Sequence, residues 1–124
     1  MLQNIILVGL GSMFGGISRY LFSDLIKQWL PSTFPFGTFF VNMAGCFLIG
    51  LLGGWLNHQP LLTHPQRLFL LVGFCGSFTT FSTFSMDNLN LITSKAYGVF
   101  ALNTGASLIL GLLLTFAGWS LTQR

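Results

Sequence analysis

Gly73-Phe-Cys-Gly-Ser-Phe-Thr-Thr-Phe-Ser-Thr-Phe-Ser85 carries six hydroxyls and four phenylalanines directly after the apolar run Leu68–Val72. In hydrocarbon an unpaired hydroxyl or backbone amide is expensive, so a polar segment at membrane depth persists only against protein or along a hydrated path. Gly73 and Gly76 weaken a helix through backbone entropy, and Ser77, Thr79 and Thr80 weaken it by competing for its hydrogen bonds. The stretch therefore predicts a third membrane helix that breaks near its middle and releases carbonyls and N–H groups. Discontinuous helices of this type hold ions, freed carbonyls suiting a cation such as Na+ and helix N-termini suiting anions. The competing reading is an unbroken helix whose hydroxyls bond back to the preceding turn.

The rest of the chain requires a bilayer around that segment. Of 124 residues, 52% are hydrophobic and 6% charged, and mean hydropathy is +0.76; soluble domains carry about 25% charged residues. The pattern predicts one all-α transmembrane domain over 1–124, with helices at about 4–29, 38–55, 67–92 and 97–121, each near the length of a bilayer crossing. Pro31 and Pro35 separate the first two helices, and Pro60 and Pro65 the second and third. Trp29, Trp55 and Trp119 each close a span, as interface anchors do. The apolar stretch after Met1 has no basic lead and no cleavage site, so it reads as a retained helix rather than a signal peptide. The net charge of +3 is scattered rather than clustered, which argues against a nucleic-acid partner. Cys46 and Cys75 fall in apolar spans without a metal-like spacing and read as core.

Small residues recur at helical spacing, Gly11 with Gly15, Ser12 with Gly16 and Cys46 with Gly50. In lipid such stripes supply packing by letting backbones approach. Charge chooses a topology weakly: Arg67 and Arg124 fall on one side, Lys27 and Lys95 on the other, with Arg19 near the second. That balance permits insertion both ways round and an antiparallel homodimer; a single orientation fixed by other features is the alternative.

No acidic residue is placed near a helix centre, which argues against proton-coupled exchange and against acid–base catalysis: the chain reads as a non-enzyme. Asp24 and Asp87 fall toward helix ends, where water or a local cap suffices, and His58 and His64 read as solvated connection residues. The polar groups left at depth are neutral. Asn42 lies early in helix two, and Asn103, Ser107 and Gly111 share a stripe in helix four, either as donors beside a pathway or as glue between helices. Phe78, Phe81 and Phe84 recur every three residues along the second half of helix three, interleaved with Ser82, Thr83 and Ser85; ring edges are electropositive and attract an anion without trapping it. Arg19 shares a stripe with Ser12, Gly16 and Ser23 and so faces protein rather than lipid, where it marks an ionic vestibule or snorkels.

At these residues the chain resembles the Fluc (CrcB-type) family of fluoride channels. The resemblance covers nearly the whole length, through Gly15-Gly-Ile-Ser-Arg-Tyr20, Pro35-Phe-Gly-Thr-Phe-Phe-Val-Asn-Met-Ala-Gly45, Gly73 to Ser85, and the Asn103/Ser107/Gly111 stripe. It implies a dual-topology antiparallel homodimer in the bacterial inner membrane, exporting fluoride passively, with a structural Na+ held by the backbone carbonyls of Gly76 and Thr79. It also implies an anion pathway through Asn42, Phe81 and Phe84, with Ser82, Thr83 and Ser107 in a polar track beside the rings and Arg19 at the vestibule. Asn103, placed in the same pathway, stands where many relatives carry tyrosine. The choice of fluoride is implied by the resemblance; the residues themselves reach only a narrow, uncharged, donor-lined route. Two other classes remain in view: a small dual-topology exporter of cationic drugs, which needs an embedded carboxylate, and a non-transporting membrane subunit whose polar residues only pack helices.

Overall fold

The computed structural model describes residues 1–58 and 64–123. They form α1 (Leu2–Trp29), α2 (Phe36–Asn57), α3 (His64–Arg67), a π-helical stretch (Leu68–Cys75), α4 (Gly76–Phe78), α5 (Phe81–Thr93) and α6 (Tyr97–Leu121), with no strand among the described residues. Four spans are long and apolar enough to cross a membrane: α1, α2, the composite His64–Thr93, and α6. The expected ends hold at Trp29, Tyr97 and Leu121 and are displaced by one to three residues elsewhere, α2 already starting beside Pro35 and Pro65 sitting in the first turn of α3, where its missing N–H costs nothing. His64 accordingly opens a helix rather than lying in a connection. Pro60 and Arg124, used above to place a connection and to count charges, lie outside the described residues.

Two close helix pairs make the core: α2 packs on α6, and α1 on the π-helical stretch. Both rest on glycine. A Cβ on Gly11 would collide with Phe69 O and one on Gly15 with Phe74 O, while Gly73 sits 2.8 Å from Val8 O at its own would-be Cβ. Between α2 and α6, Gly50 presses on Thr115 O and Gly118 on Phe47 O. Backbone against backbone gives the densest contact available where no hydrophobic force separates helix from lipid. The Gly11/Gly15 stripe is thus used for packing. Gly16 is not, since nothing lies within 4 Å of its Cβ position. At the other end of the bundle Arg67 donates to Leu56 O (2.7 Å) and Asn57 Oδ1 (3.3 Å), satisfying the C-terminus of α2, and His58 shares a 2.9 Å bond with Gln123.

The α5–α6 corner closes as a Schellman turn, with Ala96 N–H donating to Leu91 O (2.8 Å) and Lys95 N–H to Ile92 O (3.0 Å). It places Lys95 at φ 61°, the left-handed region that costs a side-chain-bearing residue. Lys95→Gly is expected to raise stability by about 0.5–1 kcal/mol, the strain relieved less the entropy a glycine loses. Chemical unfolding in detergent micelles measures it. A destabilised variant would mean that the ammonium's attraction to the α5 C-terminus outweighs the strain.

Candidate functional site

The composite third span does break, at Thr79 (φ −80°, ψ 155°) and Thr80 (φ −148°, ψ 114°), both extended. The cause is local competition for donors. Thr79 makes the last helical bond, its N–H donating to Cys75 O (3.1 Å) with its hydroxyl on the same carbonyl (3.0 Å), before its own ψ of 155° turns the chain out of the helix. Thr80 N–H, which in an unbroken helix would return to Gly76 O, instead donates to Asn42 Oδ1 (2.8 Å), and Asn42 Nδ2 donates to Thr80 O (3.1 Å). Asn42 thus supplies the acceptor that Thr80 N–H loses at the break and adds a donor to Thr80 O, the carbonyl from which α5 starts. Thr80 then starts α5: its hydroxyl oxygen accepts Thr83 N–H (3.1 Å), as an N-cap does. Because Thr83 N–H is taken by that hydroxyl, Thr79 O also loses its helical partner. The two carbonyls freed in this way, on Gly76 and Thr79, are the pair that the family resemblance implies for a cation.

The hydroxyls around Thr80 have a fixed polarity. Thr80 Oγ1 donates to Thr83 Oγ1 (3.0 Å), so its 3.3 Å contact with Ser82 Oγ has serine as donor. Thr83 then keeps its own O–H uncommitted at the α5 N-terminus, where the helix dipole already favours an anion.

Three grooves meet at the break. One, of about 350 Å³, is lined by Asn42, Thr79, Thr80, Phe81, Phe84 and Ser107 with apolar neighbours Met43, Cys46, Ile49 and Leu108. A second, of about 490 Å³, runs between Ser12, Gly16 and Arg19 of α1 and the break residues Gly76, Ser77, Thr79, Thr80, Phe81 and Ser82. The third, of about 240 Å³, joins Arg19, Ser23, Asp24 and Lys27 to Thr38, Thr80 and Thr83. Asn42, Phe81, Phe84 and Ser107 are therefore brought together, Arg19 and Ser82 share the neighbouring groove, and Thr83 lies with Arg19 in the third. Thr80 lines all three.

Other expectations are placed differently. Phe78 precedes the break and is buried on Phe74 (centroids 5.8 Å apart, 8° between planes) and Phe22 (6.3 Å), so the ring stripe reduces to Phe81 and Phe84, 5.7 Å apart and tilted by 41°. A period of three holds only while one helix runs through. Asn103 lies outside these grooves: it is 1% exposed and donates to Asn88 Oδ1 (2.8 Å), bridging α6 to α5. Asp24 accepts from Gln28 Nε2 (2.9 Å), a local partner as expected. Asp87 has none. Its Oδ2 is buried without a partner, and it lines a cavity of about 580 Å³ with Lys27, Asn90 and Ser94 beside the α1–α2 connection. Thr80 and Asn88 were missed by the sequence reading. A threonine at the start of a helix is a favoured N-cap residue, whereas Asn88 gave no sequence signal beyond being polar in an apolar span.

Comparison with known proteins bears on the whole chain. The profile of the family described as CrcB-like protein, Camphor Resistance (CrcB), matches residues 6–119. A protein named fluoride-specific ion channel FluC in Nitratidesulfovibrio vulgaris is 40% identical over 117 residues, 94% of each chain. Its namesake in Flavobacterium psychrophilum is 38% identical over 117 residues, again 94% of each chain. The one in Bacteroides fragilis is 40% identical over an alignment of 126 positions, 99% of this chain and 98% of the relative.

Proposed function

The chain belongs to the CrcB family, and from that premise we propose that it is a fluoride-selective channel, a multi-pass protein of the bacterial inner membrane that lets fluoride leave the cytoplasm passively. One observation carries the reading furthest: Asn42, Phe81, Phe84 and Ser107, distant in sequence, wall a single groove that opens on a helix break. A small anion there meets ring edges, an amide N–H and a hydroxyl, and no fixed cation that would hold it. The second hydrogen on Asn42 Nδ2 is left over from the Thr80 clamp and is available to it. Arg19, one groove away, raises the local anion concentration at the approach.

The working unit is an antiparallel homodimer. The polar groove of Ser12, Gly16, Arg19 and the break is open on the single chain, and a polar face at membrane depth needs protein or water rather than lipid. Gly16, open in the protomer, offers a place for a second backbone. The same face supports a structural Na+. Gly76 O and Thr79 O have lost their helical partners, and oxygen donors of this kind are what a hard monovalent cation takes; two copies would supply four. Bound there, Na+ would fix the break by neutralising converging carbonyls, and it is not the transported ion.

Proton-coupled exchange finds a single support, the unpartnered Asp87 oxygen. It predicts a flux driven by a pH gradient. The test covers both readings: liposomes holding fluoride or chloride at equal internal and external pH receive purified protein, and an ion-selective electrode follows efflux. Fast fluoride loss with negligible chloride loss is expected. Equal losses, none, or losses appearing only with an imposed pH gradient would overturn the channel.

A further inference from the structure

We infer that the buried Asn88–Asn103 amide pair is a positioning device that sets which way the Ser107 hydroxyl points, and so whether it donates to an anion in the groove; this rests on the channel reading. Ser107 lines the groove with Asn42, Phe81 and Phe84. Behind it runs a chain of hydrogen bonds out of reach of solvent, Asn103 being 1% and Asn88 8% exposed. Ser107 Oγ donates to Asn103 Oδ1 (3.4 Å), Asn103 Nδ2 donates to Asn88 Oδ1 (2.8 Å), and Asn88 Nδ2 donates to Thr104 Oγ1 (3.3 Å). Every donor in that chain points away from the groove. Ser107 therefore spends its single O–H on Asn103 and leaves lone pairs for the groove, which repel an anion.

The chain has a second polarity. A side-chain amide exchanges donor and acceptor by a half-turn, since its oxygen and nitrogen occupy nearly the same volume. With both amides turned, Thr104 donates to Asn88 Oδ1, Asn88 Nδ2 to Asn103 Oδ1 and Asn103 Nδ2 to Ser107 Oγ. The Ser107 O–H is then released toward the groove. The same three links are kept and no proton changes owner, so the two polarities are close in energy until an anion beside Ser107 favours the second. The long 3.4 Å link at Ser107 is the weakest of the three and the first to yield. Asn103 and Asn88 act here without touching the ion.

The experiment is fluoride efflux from liposomes carrying wild type, Asn103→Leu, Ser107→Ala or the N103L/S107A double variant. S107A is expected to lower the wild-type flux about tenfold, the scale of one hydrogen bond to a charged group, and N103L by a similar factor, because without the amide that donates to Ser107 Oγ the serine hydroxyl bonds back to the backbone carbonyl four residues earlier instead of facing the groove. The double variant should match S107A within about twofold, since both changes act through one hydroxyl. A merely structural amide pair predicts instead that the losses multiply. If N103L alone fails to fold because it orphans Asn88, the paired N88L/N103L variant removes both amides and is compared with and without S107A in the same way. Multiplied losses, or wild-type flux in the asparagine variants, overturn the relay and leave the channel standing; absence of fluoride flux in the wild type removes the channel reading and the relay with it.

Discussion

Replacing Asn42 with leucine is expected to abolish fluoride flux and to cost about 1–3 kcal/mol of stability, the cost of leaving the Thr80 N–H without a partner. Leucine fills the volume of the asparagine but neither accepts Thr80 N–H nor donates to Thr80 O. Thr80 cannot recover by resuming the helix. Thr79 packs on Gly45, whose absent side chain is what admits the Thr79 methyl, and Thr83 N–H, which a continuous helix would return to Thr79 O, is held by the Thr80 hydroxyl. The loss therefore falls on the geometry of the break. Denaturant unfolding and liposome efflux on the same preparation check it. A variant that conducts like wild type would show that the break stands without its clamp.

Phe81→Ile and Phe84→Ile are each expected to lower fluoride flux by about tenfold or more while the protein still assembles. Isoleucine retains most of the apolar bulk, so packing changes little, but it has no electropositive edge to offer an anion. The two positions differ in a useful way: Phe81 is 77% exposed on the single chain and Phe84 is half-buried. A folding defect should therefore show more at Phe84, and a conduction defect equally at both. Unchanged flux in both variants would remove the rings from the pathway, and a loss accompanied by dissociation would assign them to assembly instead.

Membrane class, span count and the break were legible before any coordinates because each follows from short-range physics. Apolar runs of bilayer length, prolines that stop helices and clustered hydroxyls that compete with the backbone act within a few residues of one another. Asn42, Phe81, Phe84 and Ser107 were legible as candidates because polar or aromatic residues stand out in an apolar span. What each does was not. Asn42 holds Thr80 across 38 residues of sequence, and Phe78, in register with the other rings on paper, is turned away once the chain breaks after it. Asn103 could be read as pathway or glue, and its 2.8 Å bond to Asn88 puts it behind the groove rather than in it. Asp87, expected to find water or a cap, has one carboxylate oxygen without a protein partner and lines the cavity beside the α1–α2 connection.

Transfer free energy and local hydrogen-bond competition depend only on which residues are neighbours along the chain, so residence in a bilayer and the place where the third span fails are already written in the order of residues. Which groups meet at that failure depends on how the helices pack. Asn42 reaches Thr80, Thr79 settles against Gly45, and Ser107 is backed by two buried amides because glycine contacts bring α1 against the third span and α2 against α6. Pairings of that range are set by how whole helices pack.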